Sequence, residues 1–254
     1  MVNNTKIFQI LLLPFLLISF SAYTLKAQGE DIRFYDPDKR FSITLYGTYI
    51  SASELLENPR STNTFEREIS TKLNSGYGYG VELNYAPPLF ESELLIYLSA
   101  EYLKVNTDEL LLKLSDGVNK ASVKVKEKFM MIPLELGIKW LLPVSTDNFK
   151  LYIGGGGGIY FGDRTRTMQN LVSTNIEKTP GFSLNILSGI GYYIARNLSA
   201  DFELKFREAS FDVESKYNTN IININGTQYY ITSPFYTRFN VDGVRISAGL
   251  KYQF

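Results

Sequence analysis

At 254 residues the chain is long enough for one large β-barrel or for two smaller domains. Lysine plus arginine equals aspartate plus glutamate at 26 each, so no overall charge draws it to nucleic acid. Cysteine and histidine are both absent, which excludes disulfides, thiolate metal sites, cysteine nucleophiles and a lipidated N-terminal cysteine, and removes the commonest general base and metal ligand.

The first residues read as a targeting segment. Lys6 supplies a positive charge, and Ile7 to Phe20 is an apolar run broken only by Gln9, Pro14 and Ser19. A more polar stretch from Ser21 to Ala27 follows, with Leu25 and Ala27 at the −3 and −1 positions of a cleavage site. The run is short for a transmembrane helix and Pro14 weakens it further, so an uncleaved anchor is the lesser alternative. The expectation is a cleaved signal peptide over residues 1–27, a short periplasmic segment over 28–40, and a barrel over 41–254.

Beyond Gln28 alternation dominates, with a period of two residues. Phe41, Ile43, Leu45, Gly47 and Tyr49 alternate with Ser42, Thr44, Tyr46 and Thr48. Tyr77, Tyr79, Val81, Leu83 and Tyr85 oppose Gly78, Gly80, Glu82 and Asn84, and Ile96, Leu98, Ala100 and Tyr102 oppose Tyr97, Ser99 and Glu101. Ile132, Leu134, Leu136, Ile138 and Trp140 oppose Pro133, Glu135, Gly137 and Lys139. Leu151, Ile153, Ile159 and Phe161 flank the run Gly154 to Gly158, opposite Lys150, Tyr152 and Tyr160. Phe182, Leu184, Ile186, Ile190 and Tyr192 follow, then Leu198, Ala200, Phe202, Leu204 and Phe206. Last come Val244, Ile246, Ala248, Leu250, Tyr252 and Phe254. Each of these eight segments is close to the 9–11 residues that a tilted strand needs to cross a bilayer.

The connections alternate in length. Short links fall at Pro87–Ser92, Leu142–Asp147 and Ala195–Asn197. Long polar ones fall at about Ala52–Ser75, Asn106–Ser122, Asp163–Pro180 and Phe211–Thr237. That is the pattern of a transmembrane, antiparallel, up-and-down β-barrel with four long extracellular loops. Asn225-Gly226 is a hairpin signal within the last loop; if that hairpin crossed, the strand count would be ten instead of eight.

The charges within the segments share one phase: Glu82, Glu101, Glu135, Lys139, Lys150, Asp201, Glu203, Lys205, Arg207, Arg245 and Lys251. A lysine or arginine facing lipid at the midplane costs about 2–4 kcal/mol, against a total stability of about 5–15 kcal/mol. These residues must therefore face the lumen. An eight-stranded interior is just filled by side chains, so the charges are expected to pair with one another as a structural network, with Glu203 and Arg245 as one pair. The glycine run lacks the Lys-Ser/Thr and the helix of a phosphate loop, and is expected to make room for bulky lumenal side chains. Tyr77, Tyr85, Tyr102, Trp140, Tyr192 and Tyr252 near strand ends suit an interfacial girdle. Lys124, Lys126 and Lys128 are expected above the membrane, solvated or touching lipopolysaccharide phosphates.

The stretches Ala248-Gly249-Leu250-Lys251-Tyr252-Gln253-Phe254 and Ile132-Pro133-Leu134-Glu135-Leu136-Gly137-Ile138-Lys139 carry a resemblance, as do Leu151 to Gly158 and Gly189 to Tyr193. The chain resembles the outer-membrane β-barrels common in Bacteroidota, akin to opacity-type and small porin-like surface proteins. The resemblance implies the bacterial outer membrane as its location and insertion by the outer-membrane assembly machinery, with Phe254 as the terminal assembly signal. It implies no particular activity.

The expected function is that of a non-enzymatic structural or interaction protein displaying its loops to an extracellular or envelope partner. The alternative is porin-like passage of small solutes or hydrophobic compounds. No catalytic residue, cofactor or metal is expected, and no nucleic acid; outer-membrane lipid and lipopolysaccharide are the surroundings.

Overall fold

The computed structural model describes residues 38–51, 53–62, 64–67, 70–88, 93–115 and 120–254. The predicted signal peptide and residues 28–37 lie outside the described residues. In chain order the strands are β1 (Phe41–Ile50), β2 (Ser53–Leu56), β3 (Ser70–Leu73), β4 (Gly76–Tyr85), β5 (Leu94–Ser115), β6 (Lys120–Leu141) and β7 (Phe149–Met168). There follow β8 (Leu171–Thr179), β9 (Gly181–Ala195), β10 (Leu198–Tyr217), β11 (Ile221–Ile224), β12 (Thr227–Tyr230) and β13 (Phe235–Gln253).

Eight antiparallel staves close into a ring. β1 pairs with β4, β4 with β5, β5 with β6, β6 with β7 and β7 with β9. β9 and β8, separated only by Pro180, both pair with β10; β10 pairs with β13, and β13 returns to β1. Closure leaves no open edge, which is what a sheet in hydrocarbon requires. Asn225 and Gly226 have φ of 51° and 85°, as a tight two-residue hairpin needs, and β11 and β12 form a separate two-stranded sheet. The ring therefore has eight staves, and the ten-strand reading falls.

Facing follows the alternation. Leu45, Leu83, Leu98, Leu134, Leu136, Ile153, Leu184 and Leu250 are exposed around the outside, while Glu82, Glu101, Glu135, Lys139, Glu203, Lys205, Arg207 and Arg245 are buried inside. Aromatic rings pair at both rims of the apolar belt. Phe41 lies 5.0 Å from Tyr85 and 6.2 Å from Phe254 at the periplasmic end. Tyr49 with Tyr77 (5.2 Å) and Tyr79 with Tyr102 (5.5 Å) mark the extracellular side.

The long connections are mostly not loops. β5 and β6 run on as paired strands to Ser115 and Lys120, and β10 and β13 stay paired from Leu198↔Tyr252 up to Ser215↔Phe235. The cause is a reversal of polarity along each strand at unchanged period. In β6, Ile132 to Trp140 put their apolar side chains outward at even positions; above them Val123, Val125, Phe129 and Met131 put theirs inward at odd positions, with Lys124, Lys126 and Lys128 outside. β10 does the same between Phe206, outward, and Ala209, Phe211 and Val213, inward. Where lipid gives way to water the favourable face for carbon switches, so the sheet continues upward with an apolar inside and a polar outside.

Because unzipping requires breaking a closed ladder, the folded protein should keep its barrel in detergent without heating. Unboiled and boiled samples are expected to migrate at different apparent masses on a detergent gel. Identical migration together with a helical circular dichroism spectrum would rule out this fold.

Candidate functional site in the barrel interior

Between the polar periplasmic end and the extracellular mouth the interior is built in layers, each set by which residue of a strand points inward. At the periplasmic end Lys251 Nζ lies 2.8 Å from Asp201, and Tyr193 OH donates to Gln253 Oε1 at 3.1 Å.

The membrane-level layer is a closed ring of alternating charges. Glu203 meets Arg245 (2.9 Å), Arg245 meets Glu101 (2.8 Å), Glu101 meets Arg207 (3.5 Å), Arg207 meets Glu135 (3.2 Å) and Glu135 meets Lys205 (2.6 Å). Lys205 returns to Glu203 at 3.7 Å. Lys139 hangs from this ring, 2.8 Å from Glu203 and 2.5 Å from Glu82. Four carboxylates and four cations thus cancel, as burial of charge demands. Tyrosines sheathe the cations: Arg245 lies 4.6 Å from the Tyr46 ring and Lys139 4.8 Å from that of Tyr152. Tyr160 donates to Glu135 at 2.6 Å.

Glycines on facing strands give these rings their room. A Cβ on Gly80 would come within 2.5 Å of the Tyr46 ring, and one on Gly156 within 2.7 Å of Tyr97 OH. Among these side chains lies a cavity of about 20 Å³, lined by Thr44, Tyr46, Glu82, Lys139, Tyr152, Glu203 and Arg245 among others, enough for one water molecule.

Above the ring the lumen turns apolar. Ile50, Leu103, Val105, Phe129, Met131, Phe211, Phe239 and Val241 form one buried cluster, with Phe129 and Phe239 stacked at 4.3 Å. Over it lies a second ionic layer. Arg164 grips Glu127 with two hydrogen bonds, at 3.0 and 2.8 Å, and donates to Thr237 Oγ1 at 2.8 Å. Arg166 also bonds Glu127 and reaches Glu57 at 3.0 Å. A last apolar cluster caps the mouth, where Ile222, Tyr229 and Ile231 of the β11–β12 hairpin region pack on Val123, Val125, Met168, Leu171 and Tyr217.

Of the eleven residues singled out in the sequence, eight belong to the central network and Asp201 and Lys251 form the periplasmic pair. Lys150 lies outside this network, half-buried and close to the start of β7. Phe254 is exposed and holds the ring seam, its N–H donating to Phe41 O at 2.9 Å. Sequence reasoning missed Glu127, Arg164 and Arg166. Glu127 sits between Val125 and Phe129 on an apolar inward phase, a signal available once the polarity reversal at Met131-Ile132 is seen.

Glu127 lies above the apolar belt. Burial alone would raise its carboxyl, but Arg164 and Arg166 outweigh burial and hold it below the usual carboxylate range. A lowered folded value gives stability that is present above the unfolded value, about 4.3, and that is lost as pH falls through the folded one. Glu127→Gln should therefore lower the urea midpoint at pH 7, and its deficit against the native chain should shrink as pH drops below about 4. A deficit that stays constant down to pH 3 would contradict this assignment.

No family model matches the chain and no curated protein does. Among solved structures, the outer membrane protein OprG from Pseudomonas aeruginosa is similar over 85% of this chain and 96% of its own, with a TM-score of 0.54 at 12% identity. A major outer membrane protein from Thermus thermophilus is similar over 85% of this chain and 100% of its own, with a TM-score of 0.48 at 13% identity. At such identities the likeness speaks to fold. Joined to the closed ring, the apolar belt and the inward charges, the likeness to OprG makes the chain an eight-stranded β-barrel of the bacterial outer membrane.

Proposed function

We propose that this protein is a non-conducting, non-enzymatic outer-membrane barrel that works as an interaction protein, presenting the sheet above the membrane to a partner at the cell surface. One observation carries the reading: three layers of buried side chains stack along the lumen, the charge network, the Phe129–Phe239 cluster and the Glu127 layer. Each carboxylate of the network, and Asp201 below it, is held by at least one cation, which leaves none of them poised as a general base.

The working surface is then the outer face of the raised sheet and the β11–β12 hairpin. Lys124, Lys126 and Lys128 stand exposed there, in reach of lipopolysaccharide phosphates. The terminal strand ending in Phe254 suits capture by the outer-membrane assembly machinery, and the same stretch supports an affiliation with the Bacteroidota-type barrels.

Purified protein in planar bilayers should show no large steady conductance, and removing residues 219–233 should leave it silent, because the two lower layers remain. Steady conductance of the native chain, or solute uptake in liposome swelling, would overturn the reading and favour transport. Lipopolysaccharide retained through purification should fall when Lys124, Lys126 and Lys128 are all changed to glutamate.

A further inference from the structure

Above the membrane belt the wall has a slot. β1 with β2 and β3 with β4 form one continuous hairpin in a single register, from Phe41↔Tyr85 through Ile50↔Gly76 to Leu56↔Ser70. β4 pairs with β5 up to Gly76↔Val105, and there the ladder stops. β3 is the last strand of its sheet, and among the described residues β5 has no strand partner on that side from Asn106 to Ser115. Asn74 closes the base of the slot, its N–H donating to Thr107 Oγ1 at 3.2 Å and its Nδ2 to Asn106 O at 3.3 Å. Just above, the β5–β6 register shifts between Thr107 and Leu110, and the extra residue on β5 makes a bulge that turns the strand.

A second interruption, between β7 and β8, is bridged. β7 leaves β9 at Tyr160↔Gly181 and meets β8 only at Thr167↔Val172. In the interval the Arg166 N–H donates to Ser173 Oγ at 2.8 Å, and Asp163 takes both Asn175 and Lys178. Between β3 and β5 no such bridge stands above Asn74 among the described residues.

The free edge of β5 is held ready. Leu110 and Leu112 pack inward on the apolar clusters, which keeps the strand extended, while Leu111 is 65% exposed beside Lys124 of β6. Neither Asn106–Ser115 nor Ser70–Leu73 contains the proline that would blunt an edge. A row of strand-spaced N–H and C=O groups in fixed, extended geometry matches one ligand shape, another extended backbone. Asp108 and Glu109 share this border with Lys72, Lys104 and Lys113, so charge favours neither an acidic nor a basic segment.

We propose that this slot captures an extended segment of a partner polypeptide, which adds as a strand antiparallel to β5 with apolar residues at every second position, toward Leu110 and Leu112. The site gives a class to the surface partner proposed above and rests on that reading. Conductance tests the reading and strand capture tests the site, so each can fail alone.

The probe is a synthetic peptide of about ten alternating valine and threonine residues, the length of a long strand, carrying a fluorophore and a photo-crosslinker. Its control is the same peptide N-methylated throughout, which keeps the side chains and removes every backbone donor. Both are titrated onto the native protein in phosphatidylcholine vesicles. The expected result is saturable binding of the unmethylated peptide, at least several-fold tighter than the control, with cross-links on Asn106–Ser115 and Ser70–Leu73. Leu111→Lys, which leaves the inward leucines in place and charges the edge, should weaken binding several-fold while heat-modifiable migration persists. Equal binding of the two peptides, cross-links on β10 and β13, or no saturable binding overturns the proposal, as does an affinity unchanged in Leu111→Lys. Cross-linking of the protein alone that joins β5 to a second copy gives the edge a different occupant and also overturns it.

Discussion

Leu136→Arg should reduce the amount of assembled barrel several-fold, measured as the heat-modifiable band in outer-membrane fractions. Leu136 sits in the middle of the outward run of β6, 59% exposed, between Leu134 and Ile138, with Leu98 opposite on β5. An arginine there meets hydrocarbon with no carboxylate on its face of the sheet, at a cost of about 2–4 kcal/mol near the midplane. Ile246→Arg on β13 tests the same face independently. Normal insertion of both would overturn the facing of the whole ring. The neighbouring Gly137 gives a different lesson. Its lumenal phase suggests that alanine is mild, but a Cβ there would approach Gly155 O to 2.3 Å and the Tyr97 ring to 2.6 Å. Gly137→Ala should therefore also destabilise, through crowding and not through charge.

Glu203→Ala should lower stability by about 3–5 kcal/mol, because removing one partner of a buried ion pair leaves the other uncompensated. Glu203 is the junction of the network: Lys139, Arg245 and Lys205 all converge on it, and Tyr152 OH donates to it at 3.3 Å. Arg245 keeps Glu101 when Glu203 is gone, whereas Lys139 keeps only Glu82. Urea unfolding from vesicles gives the magnitude. A double-mutant cycle with Arg245→Ala should show a coupling of about 0.5–3 kcal/mol. Strict additivity of the two changes would mean that the pair does not communicate, and the network would lose its role as the lumenal plug.

The staves were legible because alternation is local: a strand with lipid on one side and packed polar groups on the other must read carbon at every second position. Leu134, Leu136 and Ile138 against Glu135, Gly137 and Lys139 need no knowledge of their neighbours. The connections were misjudged for the same reason. Asn106 to Ser122 looks polar as a stretch, but Leu110 and Leu112 within it pack against the apolar interior clusters, and β5 continues the sheet once β6 is present beside it. The Glu203–Arg245 pair could be guessed, since β10 and β13 are adjacent in the chain order of staves.

The link from Arg245 across the lumen to Glu101, and from Lys139 to both Glu82 and Glu203, could not, because those strands meet only through the closed ring. So the sequence by itself determined which face of each strand meets lipid, since that is a one-strand question of where carbon and charge are stable. Only the tertiary structure decided which charges pair and where the lumen turns from ionic to apolar. These depend on ring closure, which brings together residues that no local pattern relates.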